Sequence, residues 1–310
     1  MVYNMKWEKK GLIFCADGKS DWMFSHAMIP TPLMVDESTL RIFLTFCDIN
    51  GVGRVGYIDV ASNNPRNILN IVKNPVLDIG KPGTFDENGC LVCSILKNKN
   101  KLYLYYAGFE LGTKIRYRLL TGLAISNQND SNFIRYKETP ILERTNSELY
   151  FRCGPFVLFE DNKFKLWYVG GNEWELIDNK MMPVYRIKYA ESVDGINWPE
   201  ESILCIDIEN ENEHGFGRPY VIKDNNMYKM FYSIRVKHKG YRLGYAESLD
   251  GIHWERKDNK IGIDVSEKGW DSEMICYSAV ITIHGKTYMF YNGNEFGKTG
   301  FGYAELISWD

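Results

Sequence analysis

Five short segments of the 310-residue chain each carry an acid at a similar offset from the apolar run that follows. They are 20–26, 83–89, 146–152, 211–218 and 269–275, and they supply Asp21, Asp86, Glu148, Glu213, Asp271 and Glu273. Carboxyl groups gathered into one pocket can act as general acid and general base, because their surroundings push their pKa values apart. The same segments hold Arg152 and Arg218, whose planar guanidinium groups suit bidentate recognition of a carboxylate or phosphate. Trp22, Trp174, Trp270 and Tyr277 offer an apolar ring face beside a polar tip, and His26 closes the first segment. Acids in such places also cap turns or pair with a nearby Arg, and the two Arg can pair with a neighbouring Glu. The residues alone leave both readings open.

Other chemistries lack their residues. There is no Gly-rich phosphate loop and no Ser-His-Asp arrangement, and the five His (26, 214, 238, 253, 284) are dispersed. The seven Cys are an odd, scattered set, which is not a disulfide framework. Cys90 and Cys93 lie three apart in an apolar run that reads as a strand, so they point to opposite faces and share no metal. Reduced thiols in a cytoplasmic protein are the expectation. A net charge of −3 gives no electrostatic footprint for nucleic acid, and the basic run Lys97–Lys101 reads as a solvated turn. The N-terminus lacks the apolar core of a secretory leader. No segment approaches about 18 apolar residues, so neither nucleic acid nor membrane is expected as a partner.

The elements that must position these residues are announced by a repeat. Tyr189–Trp198 and Tyr245–Trp254 both read Tyr-Ala-Glu-Ser-x-Asp-Gly-Ile-x-Trp. Weaker copies begin at Gly122, Gly302 and Gly56, which with 188 and 244 gives five units 56 to 66 residues apart. Each unit has the same order of strand signals. In the fourth these are Pro219–Ile222, Met227–Ser233, Arg242–Glu247 and a turn at Ser248–Trp254 that enters a fourth strand. The third has Pro155–Phe159, Phe164–Val169 and Arg186–Glu191, and the fifth has Ala279–Ile283 and Thr287–Asn292. Short alternating strands between turn residues predict antiparallel sheet. Four strands per unit around an axis predict a five-bladed β-propeller filling residues 1–310 as one all-β domain. The fifth unit runs out after its third strand, and Met5–Phe14 resembles Trp254–Ile263. The N-terminal strand is therefore expected to pair with the last blade and cover its edge. The Asp-Gly of the repeat reads as a turn, with the Trp wedged between blades: a fold marker, not a catalytic motif.

The repeat with N-terminal closure resembles the five-bladed glycoside hydrolases of families 43, 32 and 130 over nearly the whole chain. That resemblance implies a sugar in an axial funnel and a pair or triad of carboxylates from successive blades. Two carboxyl groups would stand roughly 6.5–9.5 Å apart for inversion and 5–5.5 Å for retention. By position it implies Asp21 as base, Asp86 as modulator and Glu148 as acid, with Glu213, Asp271 and Glu273 in reserve. It implies His26, Arg152, Arg218, Trp22, Trp270 and Tyr277 as substrate contacts, the Arg pair favouring an anionic sugar. No cofactor is required, and an axial calcium ion beside His26 is the one metal it suggests. The chain departs from the family patterns: Cys153 stands before Gly154-Pro155 where family 43 has Glu, and family 32's Asn-Asp-Pro-Asn and Arg-Asp-Pro are missing. His26, Arg152, Arg218, Arg235 and His214 could form the phosphate-binding cluster of family 130, whose acidic signature is also missing. A glycosidase is the leading expectation. A non-hydrolytic carbohydrate-binding propeller linked to polysaccharide biosynthesis, or a glycoside phosphorylase, is the alternative.

Overall fold

A computed structural model describes residues 5–127 and 132–309. It is nearly all strand, and the strands come in antiparallel runs of four. β2 (Ser25–Met34), β3 (Thr39–Cys47), β4 (Gly53–Ala61) and β5 (Asn64–Ile71) form the first. Next come β6 (Cys90–Asn98), β7 (Lys101–Leu111), β8 (Tyr117–Asn127) and the two-residue β9 (Ile134–Arg135). The third run is β10 (Phe151–Glu160), β11 (Lys163–Ile177), β12 (Lys180–Ser192) and β13 (Ile203–Ile206). The fourth is β14 (Glu213–Asp224), β15 (Met227–Val236), β16 (Arg242–Ser248) and β17 (Glu255–Arg256). The last holds β18 (Cys276–Ile283), β19 (Lys286–Asn292) and β20 (Phe301–Ser308), with β1 (Lys6–Phe14) paired antiparallel along β20. The N-terminal strand thus covers the edge of the last sheet, as the sequence predicts. The middle three runs join into one twelve-stranded sheet through short parallel contacts of β8 with β10 and β12 with β14. Helix among the described residues is confined to α1 (Asn294–Gly297) and one 3-10 turn, Asp258–Lys260.

The predicted strands are found, and the first strands with predicted bounds start earlier: β10 and β14 inside the acid-bearing segment, β18 directly after it. β2, β6, β10, β14 and β18 lie beside one another in order, and β18 returns to contact β2. Each carries a register break near its start, at Ser25–Thr31, Val92/Ser94, Cys153/Phe156, Gly217/Tyr220 and Cys276/Ala279. Such bulges bend a strand and re-aim its side chains. Four non-glycine residues there, His26, Ile29, Arg218 and Tyr277, hold φ at 61°, 60°, 27° and 54°, a costly conformation kept where the surroundings over-determine it.

The repeat motif ties one run to the next. Ser192 and Asp194 fold the Asp-Gly turn by accepting the N–H groups of Gly195, Ile196 and Asn197, and Ser248 and Asp250 do the same for Gly251, Ile252 and His253. The turn's glycine carbonyl then accepts from the preceding run: Tyr105 Oη to Gly195 O at 3.0 Å, and Trp167 Nε1 to Gly251 O at 2.7 Å. Trp254 packs edge-on against Trp167. The glycines that open the repeat have a second use. A Cβ on Gly56, Gly122 or Gly302 would lie 2.6–2.7 Å from Trp22, Phe85 or Trp270, so those rings pack on the third strands.

Candidate functional site

Four of the six candidate acids are buried in ion-pair locks of one pattern. Asp86 Oδ2 accepts from Tyr106 Oη at 2.9 Å and from Arg135 Nε at 2.8 Å. Glu148 accepts from Tyr168 Oη at 2.8 Å and pairs with Arg152 Nε and Lys188 Nζ, both at 2.7 Å. Asp271 Oδ2 takes Tyr291 Oη at 3.0 Å and Lys9 Nζ at 2.8 Å. In each of these three the Tyr follows the acid by 20 residues, on the second strand of the run. The fourth run splits the arrangement. Arg256 holds Glu213 in a bidentate pair at 2.7 and 3.0 Å, and it also binds Asp258, which accepts from Tyr232 Oη at 2.6 Å. The Arg256 charge pulls the Glu213 carboxyl below its usual range against the opposing cost of burial. Asp21 and Glu273 are exposed in the segments before β2 and β18.

A cavity of about 410 Å³ opens instead where the five first strands bulge. Each supplies lining: Ile29, Cys93, Cys153, Arg218 and Tyr277 stand in β2, β6, β10, β14 and β18. Aromatic side chains dominate the wall, namely Phe109, Tyr117, Tyr185, Phe216, Tyr241 and Phe296 beside Tyr277. Cations complete it, Arg218 and Arg235 within and Arg116 and Lys180 also lining, beside the His26 imidazole. No carboxylate lines it among the described residues.

The two inner guanidinium groups differ. Arg218 ties β14 to β2, β6 and β18. Its Nε and Nη2 donate to Cys93 O at 3.2 and 3.1 Å, Nη1 to Pro30 O and Tyr277 O at 3.0 Å, and Nη2 to Thr31 Oγ1 at 2.7 Å. Burial pulls its pKa down to about 10, so it is charged at neutral pH. Arg235 is also buried, but only Nη1 has a backbone acceptor, Pro183 O at 2.9 Å, and Nε is buried without a partner. It lies against the rings of Tyr185 and Tyr241, 4.6 and 5.5 Å from their centroids. Neither Arg has a carboxylate within ion-pair range among the described residues. Burial pushes the phenol of Tyr241 up to about 12 and raises those of Tyr185 and Tyr277 well above their usual range, so all three stay protonated donors.

The structure therefore brings His26, Arg218 and Tyr277 to one cavity and takes the other candidates elsewhere. Arg152 faces Glu148 and the carbonyls of Glu143 and Pro199. Trp22 packs on Phe46 and donates to Lys73 O, Trp270 stacks on Tyr291, and Trp174 sits among Tyr117, Tyr150 and Phe151. None of the six acids lines the cavity: four have turned to cations of their own sheets, and two lie at the surface. Arg235 is the residue that the segment-by-segment reading underweights, since it sits near the end of β15, outside the five segments, and only the Arg/His list includes it. His214 lies behind it, sharing Pro183 O, and burial with the Arg235 charge lowers its pKa to about 4. A calcium ion needs six to eight oxygen ligands. Here the axial carbonyls are taken by Arg218, two guanidinium charges stand close by, and no carboxylate is at hand, so the residues present do not fit one. Among the described residues no group of three or more His, Cys, Asp and Glu could hold a metal.

No protein-family model matches the chain. It is 32% identical over 302 residues to the uncharacterized protein Rv1502 of Mycobacterium tuberculosis, covering 97% of this chain and 99% of that one. The chain belongs to the Rv1502 family. Among solved structures, a glycoside hydrolase superposes with a TM-score of 0.72 at 18% identity, over 97% of this chain and 92% of that one. A thermostable family-43 glycoside hydrolase does so with a TM-score of 0.67, also at 18%, over 94% and 91%. The fold is that of the propeller glycoside hydrolases. At such identities the likeness extends to the fold, and the site has to be argued from its own residues.

Proposed function

We propose that the protein is a five-bladed propeller, closed as a single domain, that binds an anionic sugar in the axial cavity without cleaving it by two-carboxylate chemistry. One observation carries the reading: two buried cations, Arg218 and Arg235, share an aromatic-lined cavity whose wall has no carboxylate. A buried charge without a counter-charge costs several kcal/mol, and an anionic ligand would remove that cost. Arg235 spends only Nη1 on a backbone carbonyl and so keeps guanidinium charge for it, the protonated phenols of Tyr241 and Tyr277 add donors, and the surrounding rings give a sugar its apolar contact. Glycosidic cleavage needs a carboxyl group on each side of the bond. The four buried acids are held away from the cavity by cations and tyrosines of their own sheets, which supports binding over hydrolysis. A part in building or sensing a polysaccharide fits such a module. Seven free thiols, five of them buried, favour a reducing compartment such as the cytoplasm. No helix among the described residues is long and apolar enough to cross a membrane.

The test is titration calorimetry with galacturonate, glucuronate, glucose 1-phosphate and the parent neutral sugars, beside a turnover assay on aryl glycosides of the same sugars. Saturable binding of an acidic sugar without turnover is the expected result. Turnover of any glycoside, lost in Asp86→Asn or Glu148→Gln protein that remains folded, would return the hydrolase reading to first place.

A further inference from the structure

The turns between second and third strands all reach the cavity. Gly51, Arg116, Lys180, Tyr241 and Phe296 line it, one from each turn or its flanking strand residue. These turns therefore ring its mouth, and their composition differs from that of the chain. With one strand residue on either side they span 47–53, 111–117, 177–180, 236–242 and 292–301, and hold seven Lys and Arg against three carboxylates. That is a balance of +4 on a chain whose net charge is −3. Lys114, Arg116, Lys180 and Lys239 are exposed and have no carboxylate partner among the described residues.

Large apolar side chains stand among these cations. Ile49 is 71% exposed, Leu111 60% and Leu176 65%, with Met181 opposite Leu176 across the β11–β12 hairpin and Phe296 on the last turn. They stand on or beside four of the five turns, Leu176 and Met181 sharing one, and three of those four turns carry Lys or Arg as well. Apolar tips spread over several turns among Lys and Arg match a lipid interface, where the tips enter the acyl boundary and the cations meet anionic headgroups.

We propose that the mouth of the cavity docks on an anionic lipid surface, so that the cavity receives the anionic sugar of a lipid-borne glycan. The docking half stands on the turns alone, while the glycan half rests on the function proposed above. The lack of a spanning helix among the described residues has no bearing on a peripheral contact of this kind.

Vesicle flotation of the full chain tests it, with phosphatidylcholine vesicles compared with vesicles that also contain phosphatidylglycerol. Binding is expected only to the second, to weaken as salt rises, and to fall on the order of tenfold or more in a Lys114→Glu/Lys239→Glu variant. An Ile49→Ser/Leu111→Ser/Leu176→Ser variant should also lose vesicles. All these positions are exposed, so both variants should fold and keep their titration with soluble galacturonate or glucose 1-phosphate. Equal binding to both vesicle types, or to neither, overturns the docking. So does a self-association, seen by sedimentation, that the serine variant abolishes while vesicle binding is unmoved, since a second copy then covers the face. Vesicle binding without any soluble-anion titration keeps the docking and defeats the sugar reading; the reverse result defeats only the docking.

Discussion

Arg218 and Arg235 face one cavity, and only Arg218 has its donors taken: it reaches the backbone carbonyls of Pro30, Cys93 and Tyr277 and the hydroxyl of Thr31, whereas Arg235 has Pro183 O and a buried, unpartnered Nε. The first guanidinium ties four first strands together, and the second has a single backbone acceptor.

Substitution should separate them. Arg218→Met strips buried carbonyls on three other first strands of their donors, and each orphan costs about 1–3 kcal/mol, so a drop of several kcal/mol is expected in urea unfolding. Arg235→Met replaces an uncompensated buried charge by an apolar side chain of similar length. Such a change is often neutral or stabilising by about 1–4 kcal/mol, so the melting temperature should hold or rise.

The acids should behave as structural groups. Glu148→Gln leaves Arg152 and Lys188 without their anion at a fully buried site. Asp86→Asn does the same to Arg135. Breaking a buried pair from one side costs about 3–5 kcal/mol. Chemical denaturation should show that loss, while the folded fraction keeps its affinity for ligand.

The contacts between runs are accessible to smaller changes. Tyr105→Phe removes the hydrogen bond to Gly195 O, a loss of about 1 kcal/mol. Gly195→Ala should cost more. Its φ is 71°, and an added Cβ would lie 2.6 Å from the Tyr105 hydroxyl oxygen. Thermal unfolding of the two variants orders them.

Mild acid should destabilise the protein through its histidines. His214 falls from 6.5 to about 4 through burial and the Arg235 charge, so between those values the unfolded chain binds a proton that the folded chain refuses. Stability then falls as pH drops through that window, by roughly 3 kcal/mol at most for this group. His26, lowered chiefly by burial, adds to the same slope. Unfolding free energies at pH 7, 6 and 5 should decline, and His214→Gln should flatten the decline.

The architecture was legible because its signals are local. Asp194-Gly195 and Asp250-Gly251 make their own turns, and strand alternation around them repeats five times. Positive φ at Ile29 and Tyr277 has no such signal, because a bulge is imposed by neighbouring strands. The acids were visible, but not their capture: Lys9 is more than 260 residues from Asp271, and Arg135 sits in a two-residue strand with no period to read. Arg235 is one of three polar residues in β15, with Lys229 and Ser233. Its meaning comes from Tyr185 and Tyr241, which only the folded chain sets beside it.

The central claim, a cavity that holds an anionic sugar through Arg235 rather than a pair of carboxylates that cleaves one, meets its most direct test in calorimetry of wild-type and Arg235→Met protein with galacturonate and glucose 1-phosphate. The account predicts saturable binding of at least one of them to the wild type, roughly a hundredfold weaker in the variant, with both proteins folded. Binding that Arg235→Met leaves unchanged, or no binding of either anion to the wild type, would contradict it.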